Sequence, residues 1–166
     1  MPEEFKIRTD LLAPEFVKTL EFSGYDPTRL FAIIPELLKD VFKLDSPKIF
    51  EDEIKWDNAA DPIKFFGHWR AKDTKDERTK VWPIIKMQGE VHTQDKRGSV
   101  TIWIYGYMEA TYPWENLLDK IVTRINLWFF YAEQKRKYLE EARLRLNILE
   151  SEVRKVFEIM QKESKV

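Results

Sequence analysis

A long stretch without helix-breaking residues occupies the C-terminal third of this sequence. No proline or glycine occurs after Pro113. Because these two residues interrupt helices most strongly, the stretch from Pro113 to about Lys162 predicts one helix of about 50 residues, or about 75 Å at 1.5 Å per residue. A helix of that length exceeds the width of a domain built from 166 residues, so part of it must pack elsewhere or project.

Apolar residues recur along this predicted helix in steps of three and four, and Lys135 breaks the series. The series comprises Leu118, Ile121, Ile125, Trp128, Ala132, Leu139, Ala142, Leu146, Leu149, Val153, Val156 and Met160. Before Lys135 the apolar band is wide, which predicts that residues 114–135 close the core against a sheet. After Lys135 the band narrows to a coiled-coil seam flanked by charges, which predicts that this half packs elsewhere.

Two units follow from this division. Residues 1–135 are predicted to form one domain, and residues 136–166 a helical extension that can pair as a coiled coil. The side chains assigned to a homodimer interface are Leu139, Leu146, Leu149, Val153 and Val156. A homodimer is therefore an expected partner state.

The region before the helix has the pattern of an antiparallel sheet. Apolar and polar residues alternate over 15–23, and Phe5 and Ile7 suggest a shorter strand before it. Four more strand-like segments are separated by short turn-rich or charged pieces, which predicts antiparallel pairing. They lie at about 47–57, 62–72, 79–94 and 99–112.

A helical stretch separates the first strands from the rest. Asp26-Pro27 has the composition of a helix start, and Pro35 interrupts the apolar pattern that follows. Since a proline inside a helix costs roughly 3 kcal/mol, two short helices are predicted, at about 27–33 and 35–43. The predicted fold class is α+β, with a curved antiparallel sheet, two short helices after the first strand, and a long C-terminal helix on the sheet.

This order of elements resembles the helix-grip fold of the START-like superfamily, which includes polyketide cyclases and lipid-transfer domains. The resemblance covers residues 15–135: the broken helix around Pro35, the strand from Gly98 to Tyr107, and the helix after Tyr112-Pro113-Trp114. The C-terminal extension departs from the family pattern. Members of the superfamily often hold an apolar ligand between the sheet and the last helix, so the resemblance implies such a cavity here.

Five residues are candidates for binding that ligand. Trp69, Met108 and Trp128 lie on the predicted inward faces of the sheet and the last helix. Asp52 shares a predicted strand face with apolar residues, and a carboxylate there needs a partner or a shifted pKa. Asp52 is a candidate acid, base or ligand-orienting group, with His68 or Tyr105 nearby. Tyr105 is the fifth candidate for binding the ligand. An ion pair with an arginine, or a bulge that turns Asp52 towards water, is the structural alternative.

Motifs of common chemistry are absent from the sequence. It has no glycine-rich phosphate loop, HExxH or GxSxG, and no cysteine. His68 and His92, with Glu90, lack a third ligand in suitable spacing, so no metal or cofactor is predicted. Basic residues such as those at 135–137 are interleaved with acidic ones, and the sequence pI is about 6.2, so no nucleic-acid partner is predicted.

The N-terminal sequence and the composition predict the cellular location of the protein. The start MPEEFKIRTD lacks the features of a signal peptide, and no run of about 18 apolar residues occurs. Together with the absence of cysteine, these features predict a cytoplasmic protein without a membrane span. The frequent Lys and Glu are typical of thermophile proteins.

Three functional hypotheses follow, in order of preference. The first is binding of a small apolar molecule between the sheet and residues 114–135. The alternative is a protein-protein interaction or homodimerisation module that acts through the extended helix without catalysis. The third is an enzyme, such as a cyclase or hydrolase that uses Asp52 with His68. No catalytic residue is assigned.

Overall fold

The computed structural model of this protein describes residues 3–165. Its seven strands form one open antiparallel sheet. They are β1 (Glu4–Asp10), β2 (Lys18–Tyr25), β3 (Ile49–Asp57), β4 (Ile63–Ala71), β5 (Asp73–Thr74), β6 (Thr79–Val91) and β7 (Arg97–Pro113). The path through the sheet is β1-β7-β6-β4-β3, with β2 paired to β7 and β5 paired to β6. The predicted α+β class is confirmed.

Strand β7 organises the sheet because it is long enough to pair with two strands along one edge. Its first half pairs with β2, from Arg97 opposite Tyr25 to Ile104 opposite Lys18. Its second half pairs with β1, from Tyr107 opposite Asp10 to Pro113 opposite Glu4. The alternation of β4 and β7 determines which side chains enter the core, and the inward faces of both strands are buried or partly buried. These faces comprise Ile63, Phe65, Trp69 and Ala71 on β4, and Val100, Ile102, Ile104, Met108 and Ala110 on β7.

The region around Pro35 differs from the prediction. A single 3-10 turn, Pro27–Arg29, leads into one helix, α1 (Leu30–Phe42), which continues through Pro35. Leu30, Ile34, Leu38 and Phe42 form its buried face. Burying four such side chains is worth roughly 6 kcal/mol or more, which exceeds the cost of about 3 kcal/mol for an internal proline. Tertiary packing therefore keeps one helix where local propensity favours two.

The long C-terminal helix is confirmed. It begins with α2 (Leu117–Asn126), continues through a π-helical turn (Leu127–Tyr131), and ends with α3 (Ala132–Ser164). The Asn116 side chain caps its start by accepting a hydrogen bond of 2.8 Å from the Asp119 backbone N–H. Within residues 3–165, no helix combines the length and the apolar character needed to cross a membrane.

The assignment of the two halves of this helix is reversed. The half expected to project lies against α1 and β2, and its apolar stripe belongs to the hydrophobic core. Of the residues assigned to a dimer interface, Leu146, Leu149 and Val153 are buried, and Leu139 and Val156 pack against the core. These five side chains are therefore used within their own chain and are not available for a coiled coil.

Charged residues beside this stripe also form hydrogen bonds and an ion pair with the rest of the domain. Arg143 Nε donates to the Leu11 carbonyl at 2.7 Å, and Arg145 Nη1 donates to the Val41 carbonyl at 3.0 Å. Lys18 Nζ lies 2.8 Å from a carboxylate oxygen of Glu150. Sequence periodicity identifies Arg143, Arg145 and Glu150 as charged residues that flank an apolar stripe. A sheet and a second helix can supply partners for such charges as well as a coiled-coil partner can.

The half expected to close the core is exposed. Leu118 is 71% and Trp128 84% accessible, although both belong to the apolar series of the helix. The change of pattern at Lys135 corresponds to a change of environment. The helix is exposed to solvent before this residue and packs on the sheet after it. The two segments exchange the roles that the width of their apolar bands predicts.

Candidate functional site

The five residues predicted to bind a ligand do not meet in the structure. Trp69 and Met108 are fully buried in the core, whereas Trp128 lies on the exposed segment of the helix. Asp52 and Tyr105 are on the opposite, outer face of the sheet, Tyr105 because of the alternation of β7 and Asp52 because of an irregularity in β3. The core itself fills the space around Trp69 and Met108, where the ligand was expected.

Asp52 instead forms an ion pair on the outer face of the sheet. The register of β3 against β4 shifts between Glu51 and Glu53, and this bulge turns Asp52 away from the core. One Asp52 carboxylate oxygen lies 3.1 Å from Arg70 Nε and 3.9 Å from His68 Nε2. Burial lowers the pKa of His68, and the attraction of Asp52 offsets this effect only in part. Both structural alternatives for Asp52, the bulge and the arginine, are thus present together.

Cationic side chains cover the aromatic residues of this outer face. Arg8 lies 4.8 Å from the ring centre of Tyr107, and Lys86 lies 5.7 Å from that of Tyr105. Arg70 is enclosed between Phe50 and Trp82, at 5.3 and 4.9 Å from their ring centres. These contacts explain how a strand face with several aromatic residues is accommodated beside solvent.

The histidines do not form a metal site with their neighbours. His68 belongs to the Asp52 cluster, and the nearest acidic contact of His92 is with Asp61, at 3.9 Å. Across residues 3–165, no three side chains of the kinds that bind metals come together.

A cavity of about 370 Å³ lies at the junction between the sheet and the long helix. We call it the junction cavity. Its walls come from the turn between β5 and β6, the end of β7, and the helix around its π-helical turn. The lining residues are Asp76, Glu77, Arg78, Thr79, Tyr112, Asn126, Tyr131, Gln134, Lys135 and Tyr138.

Three tyrosines and two cations define the chemistry of this cavity. The rings of Tyr112 and Tyr131 meet edge to face, with centres 6.1 Å apart. Arg78 lies 5.2 Å from the ring centre of Tyr112, and Lys135 lies 5.6 Å from that of Tyr131. Tyr138 donates a hydrogen bond of 3.0 Å to Asp76. The lining therefore presents aromatic surface together with hydrogen-bond donors.

The π-helical turn determines where Tyr131 lies. A π-helical turn inserts one residue into the helical register, and such turns are frequent at functional sites. Here it ends at Tyr131, whose hydroxyl is buried, with the Thr9 side chain as its neighbouring polar group. Burial raises the pKa of Tyr131 to about 12, and the neighbouring Tyr112 adds to this shift. Tyr131 therefore stays neutral, and it contributes its ring to the lining of the cavity.

Asp76 holds one wall of the cavity in place. Both Arg78 and Thr79 donate backbone N–H bonds of 2.8 Å to one of its carboxylate oxygens, and Tyr138 binds the other. Burial opposes the charged form, but these hydrogen bonds outweigh it and lower the pKa of Asp76. The carboxylate is thus a fixed acceptor that connects the turn to the helix.

Sequence reasoning misses this cavity because its residues are distant in the chain. Residues 72–80 have the composition of a charged turn, and Tyr112 follows the inward-facing series of β7. The one local signal is Lys135, the break in the apolar series, which lines the cavity. No protein-family model matches this chain, and a search of curated proteins likewise finds no match.

Proposed function

We propose that this protein is a binding module that holds a small molecule in the junction cavity. The observation that carries the proposal is a cavity of about 370 Å³ between the sheet and the last helix, a volume within the usual range of ligand sites. The resemblance to the START-like superfamily supports the same position for a ligand, although resemblance of fold alone does not determine function.

The lining favours a ligand that is planar and has hydrogen-bond acceptors. The rings of Tyr112 and Tyr131 offer apolar surface, while Arg78 and Lys135 offer hydrogen-bond donors. A wholly apolar molecule would leave these donors without partners, which costs free energy in a partly buried site. Small aromatic acids and phenols are therefore the class of ligand that we propose.

Binding without catalysis suits the groups present. Asp76 is the carboxylate best placed in the cavity, but its two oxygens already accept bonds from Arg78, Thr79 and Tyr138. A carboxylate held in its charged form with a lowered pKa is a weak proton acceptor, so it is poorly suited to act as a general base.

Two measurements test this function. Native mass spectrometry of the purified protein is expected to show additional mass that denaturation releases. Amide NMR titration with small aromatic acids is expected to shift resonances of residues 76–79, 112 and 126–138.

A matched pair of variants locates the site. Asn126→Trp introduces a large ring into the lining, whereas Asn147→Trp makes the same change at an exposed position of α3 away from the cavity. Binding should be lost in the first variant and kept in the second. Absence of additional mass together with absence of localised shifts would show that the protein does not act by binding in this cavity.

A further inference from the structure

An extended apolar surface lies on the outward side of α2 and the π-helical turn. We call it the outward face. It consists of eight exposed apolar side chains: Leu117, Leu118, Ile121, Val122, Ile125, Trp128, Phe129 and Phe130. On the opposite side of α2, Thr123 is buried against the protein itself. An amphipathic helix normally directs its apolar side towards its own core, and α2 does the reverse.

The size of this surface indicates a macromolecular partner. From the exposed fractions of its side chains, it presents roughly 900 Å² of apolar surface. The largest apolar patch of a typical monomer is about 300–600 Å², whereas a stable interface buries about 800 Å² on each partner. The outward face thus has the area that one side of a stable dimer requires.

We propose that the outward face binds the outward face of a second copy of the chain, with the two helices antiparallel about a two-fold axis. The charges at its ends are the reason for this assignment. Glu115 and Asp119 lie at the start of the segment, Arg124 lies near its middle, and Arg136 and Lys137 lie just beyond its end. Lys120 and Glu133 reduce these end charges without reversing them.

The antiparallel arrangement follows from these charges. Glu115 lies ten residues before Ile125 and Arg136 lies eleven residues after it, so an antiparallel pair centred at Ile125 brings the acidic start of each copy beside the basic end of the other. A parallel pair would instead set the two basic ends side by side, where like charges repel. A two-fold interface repeats each favourable contact twice. The inference is independent of the ligand proposal, because the outward face and the junction cavity involve different side chains.

Analytical ultracentrifugation of the full chain tests the second copy. We expect a dimer of the 20.0 kDa chain with a Kd below about 10 μM. Ile125→Lys places a charge at the centre of the apolar interface and should raise the Kd by about 100-fold or more. Leu144→Lys is the matched control, since Leu144 is also exposed but lies on α3 outside the outward face. Circular dichroism confirms that both variants fold.

Charge reversal tests the arrangement of the two copies. Glu115→Lys and Arg136→Glu should each raise the Kd by about tenfold, because every dimer contains two such contacts. The double variant, in which the charges are exchanged, should return to within about threefold of the parent Kd. A dimer that Ile125→Lys disrupts but the double reversal does not restore would overturn the antiparallel arrangement.

Two kinds of result, one from sedimentation and one from vesicle flotation, would overturn the second copy as the partner. One is a monomer at about 100 μM, or a dimer that responds equally to Ile125→Lys and Leu144→Lys. The other is a monomer that floats with vesicles of phosphatidylcholine and phosphatidylglycerol, and that loses this binding in Ile125→Lys. The latter result would assign the outward face to a lipid surface, on which aromatic side chains flanked by lysine and arginine also bind.

Discussion

The reversed roles of the two halves of the long helix can be tested with one substitution made at two positions. Leu149 is fully buried against the sheet, whereas Leu118 is 71% exposed on the outward face. Truncation to alanine has almost no effect on helix propensity, so the difference between the two sites reports tertiary burial. The prediction from the apolar bands alone differs, because it places residue 118 in the core and residue 149 in a coiled-coil interface outside the core.

The expected magnitudes are well separated. Leu149→Ala should lower the free energy of unfolding by about 3 kcal/mol, since a fully buried leucine loses both transfer free energy and packing. For a chain of this size, that change corresponds to a melting temperature lower by about 6–12 °C. Leu118→Ala should change the free energy of unfolding by less than about 0.5 kcal/mol in a monomer.

Urea unfolding followed by circular dichroism measures both values. Both substitutions are made in the Ile125→Lys background, so that loss of a dimer contact at Leu118 is not counted as loss of folding stability. Leu144→Ala serves as a second exposed control on α3 itself. A larger loss from Leu118→Ala than from Leu149→Ala would refute the packing described above and restore the first half of the helix to the core.

Two further predictions concern the sheet and the turn beside the cavity. The pKa of Asp76 in the folded protein is below its ordinary value of 3.8, so its contribution to stability is complete above that pH and is lost as the pH falls through the folded pKa. Asp76→Asn should therefore make stability, measured by urea unfolding between about pH 5 and 2, less dependent on pH, and an unchanged slope would contradict the hydrogen bonds assigned to this carboxylate. Gly98→Ala should lower stability by about 2 kcal/mol or more in thermal unfolding, because a Cβ at this position would lie 1.9 Å from the Glu90 carbonyl oxygen. Ser99→Ala is the neighbouring control, and equal effects of the two changes would contradict the close approach at Gly98.

Much of the fold could be predicted from the sequence because it depends on local periodicity. Alternation places Phe65, Trp69 and Met108 on buried strand faces, as observed. The absence of proline and glycine after Pro113 predicts one long helix, and the structure has one from Leu117 to Ser164. Both patterns depend on residues that are close together in the sequence, so they can be recognised without the tertiary structure.

The candidate site could not be predicted in the same way. The prediction that Asp52 lies with Trp69 and Trp128 assumed an unbroken strand and a wide apolar band facing inwards. A bulge redirects Asp52, and the band containing Trp128 faces solvent. The tyrosines of the junction cavity belong to the end of β7 and to the long helix, and only folding brings them together.

The sequence by itself determined most of the secondary structure, the antiparallel pairing of the sheet and the point near Lys135 where the helix changes character. Tertiary structure alone decided which half of the helix is buried, that α1 continues through Pro35, and where a cavity forms. The physical reason is that periodicity states how apolar side chains are arranged around an element, whereas burial depends on surfaces supplied by distant residues. For α3 those surfaces are β2 and α1, whereas residues 3–165 supply no such surface to the outward face.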